Sequence, residues 1–201
     1  MVEIALTSRV ALHGIDRVSR PDCGVTIREL DGFGFAAMLA RRPQAHLSER
    51  IREQFKIELP ARPSFARVGE TGFIGTGPGS WLAIHESGGC AFSASLRNVV
   101  APLASVIDQS SGYAIFRVGG AAIRKTLAKG FPLDFHSAAF QIGDAATTAV
   151  SHIGALVWRC DDALDGQPTF DIAVFRSFAH SFWNWFESSA EEFGCGWQEV
   201  A

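Results

Sequence analysis

A reaction centre in this chain would have to be assembled from few residues: a glycine-rich run, Gly72-Phe-Ile-Gly75-Thr-Gly77-Pro-Gly79, a Gly119-Gly120 pair, six histidines and two isolated aspartates. A phosphate loop needs backbone amides at a helix entrance and a lysine to meet the phosphates. Here Pro78 stands where that lysine would be and an extended segment follows, so the run reads as a turn. Gly119-Gly120 lies between an expected strand and an expected helix and could present amides to an anion. No third glycine follows, and a tight turn is the simpler reading.

The histidines, at 13, 46, 85, 136, 152 and 180, supply no i, i+4 pair on a helix, and His85-Glu86 lacks the second histidine of a zinc-protease motif. His152 shares a strand face with Val150, Leu156 and Trp158, which predicts a buried, satisfied imidazole. Ser110, Ser111 and His136 have no spacing that implies a nucleophile and its base. Cys23, Cys90, Cys160 and Cys195 are too far apart for a metal knuckle or a redox pair, and read as reduced thiols. Asp108 and Asp134 fall at expected strand ends, where a carboxylate could bind an amine or pteridine, although aspartate is also a routine turn former. The expectation is therefore no catalytic, cofactor-binding or metal-binding residue in this chain.

The elements that would have to position such groups belong to a globular domain. With 201 residues, 47% hydrophobic and a formal net charge of -3, the chain can bury a core without staples, and it lacks the basic excess of a nucleic-acid binder. The longest apolar stretch, residues 99–107, is broken by Pro102 and is too short to span a membrane. Glu3 and Arg9 interrupt any export signal, so a cytoplasmic protein is expected.

Residues 1–23 lack a period and read as an arm lying on a surface, this protein's or a partner's. Residues 24–201 read as a single domain. Val25, Ile27 and Leu30 alternate as a strand, Asp31-Gly32 resembles a turn and residues 33–40 return as a second strand, which predicts a hairpin. Leu47, Ile51 and Phe55 at i, i+4, i+8 describe a helix between Pro43 and Pro60. Extended segments are expected over 64–68, 72–76 and 81–85, then a helix from 92 to about 104. The second half repeats that order: strands over 105–109 and 113–118, a helix over 121–129, a poor strand over 133–140, a long one over 147–160 and a short one over 170–175. Ser177 can cap a last helix that runs to Phe193 and ends at Gly194, leaving a short tail. The fold class is thus α+β, a duplicated β-β-α-β-β-β-α unit divided near residue 104 into subdomains of about 24–104 and 105–194.

The C-terminal helix is the least ordinary element. Eight of the 22 aromatics fall within residues 175–197, and residues 160–201 carry eight acids against Arg176 alone. If Phe178, Phe182, Trp185 and Phe186 face the core, Trp183 points away from it at roughly 100° per residue. Glu191 and Glu192 in the last turn oppose the helix dipole, a small penalty that a basic partner would reverse. Phe182, Trp183, Trp185, Glu191 and Glu192 are therefore the expected subunit interface.

The motifs Gly77-Pro-Gly-Ser-Trp-Leu82, Asp108-Gln-Ser-Ser-Gly112, Lys129-Gly-Phe-Pro-Leu-Asp-Phe-His136, Phe140 with Gly143, residues 147–152, Phe175-Arg-Ser-Phe-Ala179 and Glu192-Phe-Gly194 occur in an order that resembles the gamma subunit family of heterotetrameric sarcosine oxidase. That family is similar to the folate-binding domain of glycine-cleavage aminomethyltransferases, a duplicated unit of the same element order. The resemblance implies a complex of alpha, beta, gamma and delta chains, with alpha the principal partner. The complex would demethylate sarcosine oxidatively to glycine, with hydrogen peroxide and, given tetrahydrofolate, methylenetetrahydrofolate as products. FAD, FMN, NAD and zinc would sit in other chains. Phe131 stands where a cysteine is common after Lys-Gly in the family, and a phenyl ring cannot act as a thiol. A noncatalytic subunit is the expectation, against two alternatives: a stand-alone folate-binding protein of the aminomethyltransferase or iron-sulfur maturation type, and a homodimeric binding module.

Overall fold

The computed structural model describes residues 10–15, 23–41 and 44–198. Most of the expected N-terminal arm lies outside them. Residues 10–15 dock on this protein's own surface: Leu12 is fully buried, and the Ala11 and Leu12 amides donate to the Glu29 carboxylate at 2.5 and 3.0 Å. Those amides answer a charge that would otherwise be costly to bury.

Strand β1 (Val25–Leu30) turns Val25, Ile27 and Glu29 to one side, and β2 (Gly34–Ala40) follows the Asp31-Gly32 turn. The pair is not the expected hairpin. β1 joins one sheet and β2 the other, because the turn carries the chain across between layers while Leu30 and Phe33 stay on the surface where the sheets meet. Alternation marks a strand but does not name its neighbour. Helix α1 (Gln44–Phe55) seats Leu47 and Ile51 inward, as their spacing requires. Strands β3 (Phe65–Val68), β4 (Thr71–Gly77) and β5 (Ser80–His85) form a meander, and α2 (Ala91–Val100) buries Phe92, Leu96 and Val100.

The second half comprises β6 (Ala104–Asp108), β7 (Tyr113–Gly119), the short helix α3 (Ile123–Leu127), β8 (Ala145–Val150), β9 (Ile153–Arg159), β10 (Thr169–Phe175), α4 (Ala179–Ala190) and β11 (Cys195–Trp197). Residues 133–140 form no strand. They are a coil that buries Phe135 and Phe140, with Phe131 just before, a spacing that matches no two-residue alternation. The long strand expected over 147–160 is two, because Ser151 and His152 take φ of 43° and 74° and reverse the chain. Paired left-handed residues make a tight hairpin, and without Asn-Gly or Asp-Gly nothing in the sequence announces it. His152 is consequently an exposed turn residue and not a buried one. Ser177 does not cap α4, which is entered through a 3₁₀ turn over Arg176–Phe178 and has no side-chain cap at Phe178. The tail adds β11, parallel to β1.

The sheets have orders β11-β1-β7-β10-β9-β8 and β3-β4-β5-β2-β6. Each half lends its first strand to the other half's sheet: β1 pairs with β7, and β6 with β2, both antiparallel. Packing is in four layers, α3 and α4, the six-stranded sheet, the five-stranded sheet, then α1 and α2, with three apolar cores between them. No helix among the described residues is long and apolar enough to cross a membrane.

Candidate functional site

Strands β1, β7 and β10 alternate across the six-stranded sheet, so neighbouring residues enter different environments. Toward α4 go Ile27, Phe116 and Phe170, all fully buried; toward the other sheet go Arg28, Arg117 and Asp171.

On the α4 side Phe182 stacks on Phe116 with ring centroids 4.9 Å apart. Trp183 is 6% exposed and lies edge-on to Trp197 of β11 at 5.5 Å, so it does not face away from the core. Trp185 is half-buried against Phe131 and lies flat on Gly130, where an added Cβ would meet the indole ring at 2.5 Å. The buried arc runs from Trp185 through Phe182 and Phe186 to Trp183, roughly 160° at about 100° per residue, which a single chain covers with sheet, coil and β11 together. Phe178 is in the entering 3₁₀ turn and is 46% exposed, so counting it into the helical stripe displaces the inferred centre of that stripe. Glu191 and Glu192 occupy a closing 3₁₀ turn and are exposed. Lys129 answers the helix end from within the chain: its Nζ donates to the Ser189 carbonyl at 2.6 Å and to Glu192, and lies 4.9 Å from the Phe193 ring. Of the five residues expected to form an interface, Phe182 and Trp183 are core, Trp185 is half-covered, and the two glutamates are available.

On the other side the polar groups form a chain of pairs. Arg117 grips Asp171 through two hydrogen bonds of 2.8 Å, and Asp171 is 2% exposed. The same guanidinium is 3.7 Å from Glu86, which also pairs with Arg67 at 2.8 Å, and Arg67 reaches Asp161 at 3.5 Å. The hydrogen bond from Arg117 to Asp171 raises the arginine's pKa further above its usual range. Burial, and then the negative charge of Asp171, push the Cys160 thiol well above the usual thiol range, which disfavours the thiolate a nucleophile needs. Arg67, Arg117, Cys160 and Asp161 edge a cleft of about 1100 Å³ whose floor includes Thr26, Arg28 and Gly119 and whose rim is the 160–168 loop. Arg159, 3% exposed, fixes that loop through the Cys160 and Thr169 carbonyls, at 2.6 and 2.7 Å, and through Asp162. The only trace of this cleft in the sequence is a lone charge inside an apolar strand, as in Ile115-Phe-Arg-Val118 and Phe170-Asp-Ile172.

The remaining candidates are local structure. Asp108 accepts from the Ser110 amide and hydroxyl at 3.1 and 2.7 Å, and Asp134 from the His136 amide at 2.8 Å, so each carboxylate closes a turn. They lie on different layers, Asp108 at the end of β6 in the five-stranded sheet and Asp134 in the coil after α3, and do not form one pteridine-holding pair. The glycine-rich run forms β4 and its turn into β5. No group of three or more metal-ligating side chains occurs among the described residues.

The family model described as "Sarcosine oxidase, gamma subunit family" matches residues 43–192. A sarcosine oxidase subunit gamma from Corynebacterium sp. (strain P-1) is 27% identical over 123 residues, which is 61% of this chain and 58% of that relative, so the match spans less than two thirds of its length. Among solved structures, the heterotetrameric sarcosine oxidase from Corynebacterium sp. U-96, in complex with pyrrole 2-carboxylate, has a chain that superposes with a TM-score of 0.74 at 24% identity, covering 92% of this chain and 91% of that one. The glycine cleavage system aminomethyltransferase T from Bartonella henselae superposes with a TM-score of 0.63 at 12% identity, covering 90% of this chain and 52% of that one. Both likenesses speak to fold, and they agree with the α+β class.

Proposed function

The chain belongs to the sarcosine oxidase gamma subunit family, and from that premise we propose that it is the small, noncatalytic subunit of a heterotetrameric complex that oxidatively demethylates sarcosine to glycine. Hydrogen peroxide and, with tetrahydrofolate, methylenetetrahydrofolate would be the other products. The partners are alpha, beta and delta chains, principally alpha, which carry FAD, FMN, NAD and zinc; the assembly is cytoplasmic. Domain organisation follows the same reading, with an arm over 1–23 and two units of like element order that exchange their first strands.

One observation supports the noncatalytic role above the rest. Phe131 follows Lys129-Gly130 and is 4% exposed, held edge-on by Phe135 at 5.6 Å and Trp185 at 5.8 Å, so the position where a thiol would serve is an aromatic packing site. Of the five residues expected at the interface, the partly exposed Trp185 and the exposed Glu191 and Glu192 are those left to meet a partner.

Purification of the chain expressed alone tests the role. The expected result is a colourless protein that releases no peroxide from sarcosine; stoichiometric flavin absorbance, or micromolar binding of a reduced folate lost in Asp108→Ala or Asp134→Ala, would favour a stand-alone folate enzyme instead.

A further inference from the structure

Three arginines and three aspartates line the cleft, and they do not all pair with one another. Register places Arg28 directly opposite Arg117 on antiparallel strands, and Arg117 directly opposite Asp171 on its other side. Like charges facing one another across a strand pair repel at close range. Arg117 is already held by Asp171 in a two-point contact, and Arg67 by Glu86 and Asp161. Arg28 is left over. Its Nε is buried without a hydrogen-bond partner, and among the described residues it forms no ion pair.

We propose that the cleft binds a small ligand through an oxyanion, a carboxylate or a phosphate, held by the Arg28 guanidinium. A planar fork of donors with no internal acceptor is matched by such a group, which would also offset the repulsion from Arg117. The floor beside Arg28 is shaped for it. Thr26 lies two residues back on the same face of β1, and Gly119 is its register partner on β7. A Cβ at Gly119 would stand 3.3 Å from the Pro168 carbonyl oxygen and 3.6 Å from the Thr26 and Thr169 hydroxyl oxygens, so the glycine keeps the floor open between the rim loop and the Thr26 hydroxyl, while the Thr169 hydroxyl is turned to the Gln167 carbonyl at 3.5 Å. The acidic 160–168 loop on the rim, with Asp161, Asp162 and Asp165, opposes multiply charged anions and favours a ligand with one small anionic head.

The test is calorimetric titration of the full 201-residue chain, at low ionic strength and slightly acid pH, with inorganic phosphate, there mostly a monoanion, and separately with acetate. One saturable site for either probe is expected; phosphate alone identifies a phosphoryl group, acetate alone a carboxylate. Arg28→Gln should weaken that site about tenfold or more, the loss of a charge-assisted hydrogen-bonded pair. Gly119→Ala, which keeps every charge, should weaken it too. The ligand-free Arg28→Gln chain should melt no lower than the parent, because a repulsion is removed; a merely structural arginine would lower the melting temperature, and that result overturns the proposal. So does an affinity unchanged in both variants, or no binding of either probe. If neither probe binds but Arg28→Gln abolishes capture of partner chains, the anion is a partner's side chain and the small-ligand site is refuted.

Discussion

The two faces of the six-stranded sheet are made by the same strands and have opposite fates. Residues Ile27, Phe116 and Phe170 meet α4 and vanish into an apolar core, while their neighbours Arg28 and Arg117 line a charged cleft, Arg117 held there by the buried Asp171. On the first face the buried aromatics find ring partners inside the chain: Phe182 on Phe116, Trp183 on Trp197, and the half-buried Trp185 on Phe131. On the second, among the described residues, the Arg28 Nε is buried without an acceptor. An excess of aromatics in the sequence is therefore a statement about how many elements close one core, whereas a surplus charge on a mostly covered face marks what the fold does not itself satisfy.

The sharpest way to break this contrast is to truncate the aromatic face. Trp183→Ala should destabilise the isolated chain by ~3 to 5 kcal/mol, the cost of emptying a buried indole site, measured by denaturant unfolding. An unchanged stability together with lost partner capture would return Trp183 to the interface. Next is the charged face. Asp171→Ala should cost about 3 kcal/mol, because it leaves the half-buried Arg117 beside Arg28 with only Glu86, at 3.7 Å, to answer it; the low end of the range applies because of that remaining pair and because the Arg117 side chain keeps 24% exposure. Asp171→Asn, which keeps the shape, should recover part of that loss.

A smaller effect is expected from Cys160. Its pKa is raised on folding, so the neutral thiol's contribution is fully present below the unfolded thiol's pKa and is lost as pH rises through the folded value. The decline should begin above about pH 8.5, where an unfolded thiol ionises, and be shallower in Cys160→Ala. Melting temperatures between pH 7 and 10 would register it, and a decline identical in both proteins would contradict the assignment. The smallest effect concerns the helix end. Glu192 is 61% exposed, so Glu192→Gln should change the isolated chain's stability by less than about 1 kcal/mol, and a larger loss would mean that its pairing with Lys129 is structural.

Local periodicity made much of the fold legible. Leu47 and Ile51, or Phe92, Leu96 and Val100, repeat at helical spacing and are buried as that spacing requires. Legibility failed where long-range partners decide the outcome. Nothing between Val25 and Ala40 says that β1 and β2 part into different sheets, since β1 pairs with β7 some 90 residues on. Nor does His152 carry the signature of its turn, because the left-handed geometry falls on Ser and His and not on Gly or Asn. The buried face of α4 is not legible either, because Phe178 falls in the 3₁₀ turn before the helix and displaces the apparent centre of the stripe, and Trp197, from β11, lies across from Trp183. The cleft is not legible in the sequence because its charges come from distant strands, and only sheet register brings Arg28, Arg117 and Asp171 into one row.

The central claim, that this chain closes its own aromatic core and works by joining a larger oxidase, is tested most directly by affinity purification of the tagged chain from its native cell. The account predicts three co-purifying chains in equal proportion and the visible absorbance of bound flavin. Recovery of the chain alone or as a homodimer, colourless and without stoichiometric companions, would contradict it.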